Sequence, residues 1–169
     1  MGTRHLTMIT LNGKRMVANY GQWDGYPTGQ GYTIADFLGG LTKTRLDSFK
    51  KKVAVIKPIK DAEIEPYWIA CGANAGSDFI TLDVSDKFRN RYPEFSRDTG
   101  ADILWLIHWG IVDKTVLSED FLKDSLFCEY AYDIDLDKQV VRFYNGGKKP
   151  SKVIKFKDFT RKLMNKLKE

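Results

Sequence analysis

Apolar and polar residues alternate weakly from Arg4 to Leu11 and again from Lys14 to Trp23, with Asn12-Gly13 between the two runs. Asn-Gly tolerates the positive φ that both central residues of a type I′ turn require, so the pattern predicts an N-terminal β-hairpin. The following WDGYPTGQGY segment holds three glycines and one proline with no hydrophobic period. It reads as a loop, and its aromatic and amide side chains make it a candidate binding element. Thr33, with Asp36 three residues on, opens a short helix that Gly39-Gly40 stops. Leu46, Phe49 and Val53 then recur at helical spacing and predict a helix from Thr42 to Val55, its lysine cluster facing water. Pro58 and Pro66 bracket a connection leading to Tyr67–Cys71 and the small-residue stretch GANAG, for which no element is expected.

In the second half, Ser85 or Asp86 caps a helix through Tyr92. Thr99 caps a buried one from Gly100 to Trp109, and Ser118 with Glu119 and Asp120 starts a short one to Leu122. Phe127–Leu136 and Gln139–Tyr144 read as a second hairpin around Asp137-Lys138, and Val153–Phe156 as an edge strand. Asp158–Leu167 closes the chain with an amphipathic helix on Phe159, Leu163 and Leu167. Hairpins at both ends with helices between them predict an α+β fold: an antiparallel sheet built from an N-terminal and a C-terminal hairpin, with helices packed on it.

The length of 169 residues fits one domain, 1–169, and 43% apolar residues with 13% aromatics provide for a sizeable core. The longest apolar stretch, Ile103–Val112, is about half of the roughly 20 residues a membrane span needs. No secretory signal pattern opens the chain, so no membrane partner and a cytoplasmic location are expected, in a host's cytoplasm if a phage encodes it. Cys71 and Cys128 have no short spacing and read as reduced thiols rather than a disulfide or metal knuckle. The 27 basic against 22 acidic residues give +5, which favours encounter with an anionic partner. Much of that excess, at Lys50-Lys51-Lys52 and from Lys148 to Lys168, reads as solvated faces.

Counting outward from a two-residue turn pairs Ile9 with Met16, Thr7 with Ala18, His5 with Tyr20 and Thr3 with Gln22. That register gathers Thr3, His5, Thr7, Tyr20 and Gln22 on one face beside the Trp23–Gly31 loop, with Leu6, Met8, Val17 and Trp23 on the other. An imidazole is the usual proton carrier near neutral pH, so His5 is the candidate acid or base, oriented by Thr3, Thr7 and Tyr20. Arg4 is placed to neutralise phosphate and Trp23 or Tyr26 to stack on a base, with Gln22, Asp24 and Gln30 as further ligand contacts. The structural alternative is a cross-strand His5–Tyr20 pair on a half-exposed sheet.

Other patterns are weaker. His5-Leu6-Thr7-Met8 resembles the histidine motif of the two-histidine phosphoesterases, but His108 is followed by Trp109-Gly110 and lacks the matching hydroxyl. Asp133, Asp135 and Asp137 alternate as on a solvated strand face, without the loop geometry of a calcium site. GANAG and GQG lack the context of a phosphate loop, and no metal or cofactor is expected. An N-terminal-nucleophile hydrolase shares hairpins at both ends, yet removal of Met1 leaves Gly2 rather than a nucleophile.

The blocks GTRHLTMITLNGKRMVANYGQWDGYPTGQG, residues 2–31, and EYAYDIDLDKQVVRFYNGG, residues 129–147, resemble a widespread family of small uncharacterised phage and bacterial proteins. That resemblance brings no established activity. By analogy of genomic setting it points to phage anti-defence proteins, which disarm the cyclic dinucleotides of CBASS or the ADP-ribose derivatives of Thoeris. The expected function is therefore binding, and metal-independent phosphodiester cleavage, of a cyclic nucleotide immune signal. A non-catalytic sponge is the alternative, followed by an N-terminal-nucleophile-like hydrolase or a protein-interaction module that docks through the basic C-terminal helix. The partner is a nucleotide-derived small molecule, not a nucleic acid read by sequence, and the chain is a possible homodimer.

Overall fold

The computed structural model describes residues 2–167; Lys168, the last residue of the second basic stretch, lies outside them. β1 (His5–Leu11) and β2 (Lys14–Gly21) form the expected hairpin, with φ of 53° at Asn12 and 69° at Gly13, as a type I′ turn needs. α1 (Gln30–Gly39) begins three residues earlier than Thr33. α2 (Lys43–Ala54) is capped by Thr42, whose Oγ1 accepts from the Arg45 amide at 3.2 Å. β3 (Lys57–Lys60), α3 (Glu65–Ala70), α4 (Leu82–Arg91) and α5 (Ile103–His108) follow. Then come β4 (Lys114–Leu117), β5 (Tyr130–Asp135), β6 (Val140–Asn145), β7 (Lys152–Lys155) and α6 (Arg161–Leu167).

All seven strands join one sheet in the order β3-β4-β2-β1-β5-β6-β7. The expectation of a purely antiparallel sheet is corrected: the fold is α+β with a mixed sheet, because β1 pairs with β5, β2 with β4 and β3 with β4 in parallel. Helical crossovers permit this, since a chain that leaves one strand through a helix returns in the same direction. The strands that sequence reading missed, KPIK and KTVL, have four residues each, too few to display an alternation.

The hairpin register also departs from the simple count. Leu11 faces Lys14 and Thr10 faces Arg15, but Ile9 then faces Val17, so the ladder contains a β-bulge at Met16. From there outward every partner shifts by one. His5 faces Gly21, Leu6 faces Tyr20 and Thr7 faces Asn19. A one-residue slip exchanges the two faces of β2, so Tyr20 and His5 lie on opposite sides of the sheet and Val17 joins Ile9 rather than Leu6.

One face carries Ile9, Val17, Tyr132, Ile134 and Phe143 into a core closed by α1, α2, α5 and α6 through Phe37, Phe49, Leu104 and Met164. The other carries Leu6, Met8, Ala18 and Ala131 beneath Phe121 and Leu122 of the 3-10 segment Glu119–Lys123. A third cluster joins Ile59 of β3 and Val116 of β4 to α3 and α4, where Trp68 stacks on Phe88 at 3.5 Å. The Asp133–Asp135 row is not the solvated face its spacing suggested. Both carboxylates are buried, and Arg142 donates to Asp133 at 3.1 Å and to Asp135 at 2.7 Å while Arg15 clamps Asp133 from the other side. Among the described residues no helix is long and apolar enough to cross a membrane.

Candidate functional site

The bulge divides the sequence-predicted residues between two places. His5 and Thr7 project into the helix-covered face together with Asn19 and Gly21 and have no exposed surface. The imidazole lies over Gly21, where an added Cβ would sit 2.0 Å from His5 Cε1. Gly25 closes over it from the loop, at 2.7 Å by the same measure from His5 Cβ. Glycine at both positions is what makes room for the ring. Among the described residues neither imidazole nitrogen nor the Thr7 hydroxyl has a hydrogen-bond partner, and desolvation lowers the His5 pKa to about 4. His5 is thus neutral at pH 7 and sealed from outside. It exchanges no proton with a ligand while the loop stays in place.

The loop is held by its own backbone and by the core. The Gly25 amide donates to the Thr3 carbonyl at 2.9 Å, and the Tyr132 hydroxyl donates to the Gly25 carbonyl at 2.9 Å. Gln30 donates through Nε2 to the Trp23 carbonyl at 3.2 Å and accepts through Oε1 from the Ala101 amide at 2.8 Å. Gln30 is therefore a brace between the loop and the start of α5. Asp24 takes a φ of 54°; its carbonyl accepts from the Gln30 amide at 2.8 Å and its carboxylate from the Tyr26 hydroxyl at 3.0 Å. Thr3 is half-buried and contributes its carbonyl to this closure.

The remaining candidates meet on the opposite side. Tyr20 donates to Gln22 Oε1, and burial raises its pKa although the Arg4 and Arg97 charges partly oppose the rise. Arg4 lies 4.7 Å over the Phe127 ring, and the Gln22 amide donates to the Arg97 carbonyl at 2.9 Å. Among the described residues neither guanidinium forms an ion pair. Trp23, 46% exposed, donates through Nε1 to Asp98 at 2.8 Å, and Arg89 donates to the other oxygen of Asp98 at 3.4 Å.

Arg97 and Asp98 lead into a cavity of about 480 Å³ lined by Trp68, Phe79, Phe88, Phe95 and Arg89. Sequence reading missed these residues. The signal that bore on them was the aromatic density between Trp68 and Phe95 flanked by arginines, but at helical spacing such residues read as core. The cavity has aromatic walls for a planar ring; its lining also holds Asp78, Asp98, Arg89 and Arg97, and Arg89 is paired with Asp86 and Asp98, which leaves Arg97 as the cation available to an anion. Cys71 and Cys128 are buried, and burial holds the Cys128 thiol up at about 11. His108 ends α5 against Phe37 and Trp105, and burial, aided by the Lys52 and Arg45 charges, lowers its pKa. Among the described residues no three His, Cys, Asp or Glu side chains gather as metal ligands do. Compared with protein-family models, with curated proteins and with solved structures, the chain matches none.

Proposed function

We propose that the protein binds a nucleotide-derived anion at the open end of the first hairpin and acts by removing it from solution. The phosphate faces Arg4 and Arg97, and the base enters among Trp68, Phe79 and Phe95. The observation that carries this reading is the 480 Å³ aromatic cavity with Arg97 in its lining; Arg97 and Arg4, whose charges both act on Tyr20, have no ion-pair partner among the described residues. Trp23 and Gln22 belong to the rim in this reading, whereas Asp24, Tyr26 and Gln30 shape the loop behind it. For a phage-type anti-defence protein the natural ligand is a cyclic dinucleotide or an ADP-ribose derivative.

Metal-independent cleavage is the second reading, and the unpartnered His5 and Thr7 beneath Gly25 favour it. It requires the 23–29 loop to lift so that His5 moves a proton, with Thr3 and Thr7 beside it. Tyr20, on the far side of the sheet, then serves the anion rather than the imidazole.

Incubation with cyclic dinucleotides and ADP-ribose derivatives, followed by mass spectrometry of the filtrate and of the heat-released fraction, separates the two. Sequestration predicts a ligand lost from the filtrate and recovered intact on heating. New product masses that vanish in a His5→Ala variant support cleavage, and a panel untouched in both fractions refutes both readings.

A further inference from the structure

α2 and α5 end side by side at one edge of the sheet. The Lys52 ammonium donates to the carbonyl of His108, the last residue of α5, and β3 and β4 start together from there, Lys57 facing Lys114. Each of these ends leaves a large apolar side chain in the open. Val55 is 81% exposed, Trp109 63% and Ile111 60%, and Trp105 stacks beneath Trp109 at 5.7 Å. Isolated exposed residues need no explanation, but these three stand on chain ends that hydrogen bonds hold together, Lys52 to the His108 carbonyl and the Lys57 amide to the Asp113 carbonyl, and so make one apolar tip. Gly110, with a φ of 69°, turns the chain between Trp109 and Ile111.

Lysines lie beside it. Lys51 stands exposed one helical turn before Val55, the Lys52 ammonium sits on the His108 carbonyl, and Lys57 is exposed at the start of β3. Asp113, two residues after Ile111, is paired with Lys114. Exposed lysines beside exposed apolar side chains complement a surface that is anionic outside and apolar beneath. Tryptophan beside lysine is also the pairing that lies stably at the boundary of headgroups and acyl chains.

We propose that this tip, Val55, Trp109 and Ile111 with Lys51, Lys52 and Lys57 beside it, docks the protein on an anionic lipid surface. The absence of a spanning helix bears on crossing a bilayer, not on resting against one. The tip draws on other residues than the nucleotide rim, so this proposal stands independently of that reading.

The test is co-sedimentation of the full chain with vesicles of phosphatidylcholine alone and of phosphatidylcholine with phosphatidylglycerol. The chain is expected to sediment with the anionic vesicles, much less with the neutral ones, and to be released by high salt. A Trp109→Ser/Ile111→Ser variant keeps every charge and is expected to lose at least about fivefold in partition; Val55→Ser, at the end of the other helix, is expected to reduce it as well. Wild-type protein that remains in the supernatant with both vesicles overturns the proposal. Equal sedimentation of the serine variants with unchanged circular dichroism also overturns it, because binding then follows net charge alone. So does a dimer in light scattering that the serine variants convert to monomer, since the tip is then covered by a second copy.

Discussion

At the scale of single residues, His5 makes the most specific demand on the protein. A buried imidazole without partners must stay neutral, and its folded pKa of about 4 lies below the ordinary 6.5. Between those values the unfolded chain binds the extra proton. The stability tied to His5 is therefore complete above pH 6.5 and lost as pH falls toward 4, by about 3 kcal/mol in all. Denaturant titrations at pH 7.5 and 4.5 are expected to show this loss in the wild type and to show it sharply reduced in a His5→Leu variant. Gly21 makes a second demand. Its substitution by alanine drives a methyl group into the imidazole and is expected to cost about 2 kcal/mol or more, much of it recovered when His5→Ala is combined with it. A double-mutant cycle that finds the two effects additive contradicts the packing described for the ring.

At the scale of elements, the bulge and the buried ion cluster determine which side chains meet. Asp133 is 3% exposed and receives both Arg15 and Arg142. An Asp133→Asn variant leaves those cations without their shared partner and is expected to lose about 3 kcal/mol, read as a fall in the denaturant midpoint. The Gln30 brace is worth less: Gln30→Ala is expected to cost about 1–2 kcal/mol and to raise amide exchange at Gly25 and Ala101. Much of this level was legible in advance. Asn12-Gly13 announced its turn, Leu46, Phe49 and Val53 announced α2, and the C-terminal hairpin followed from the run of β-formers around Asp137-Lys138. The bulge was not legible, because nothing in the string around Met16 marks an extra residue; only pairing with β1 reveals it. That single residue moved Tyr20 away from His5. The Asp133 and Asp135 pattern misled for a related reason, since alternation is the same whether a strand face meets water or meets arginines brought from β2 and β6.

At the scale of the molecule, parallel pairing of β1 with β5 and of β2 with β4 puts the N-terminal hairpin at the centre of the sheet and leaves the hairpin's open end flanked by the Arg97–Asp98 segment and by Phe127. The candidate rim is therefore assembled from residues about 75 to 120 positions apart, which no local motif exposes. Half of it, Arg4, Tyr20, Gln22 and Trp23, was visible in the N-terminal block. The aromatic half was not, because helices α3 and α4 acquire their cavity only by packing against β3, β4 and the 93–98 segment. The most direct test of the account is isothermal titration of the wild type and of Arg97→Ala with cyclic dinucleotides and ADP-ribose derivatives. At least one ligand is expected to bind the wild type, with affinity reduced at least about tenfold by Arg97→Ala while the thermal midpoint is unchanged. Binding that Arg97→Ala leaves intact, or no binding to the wild type across the panel, contradicts it.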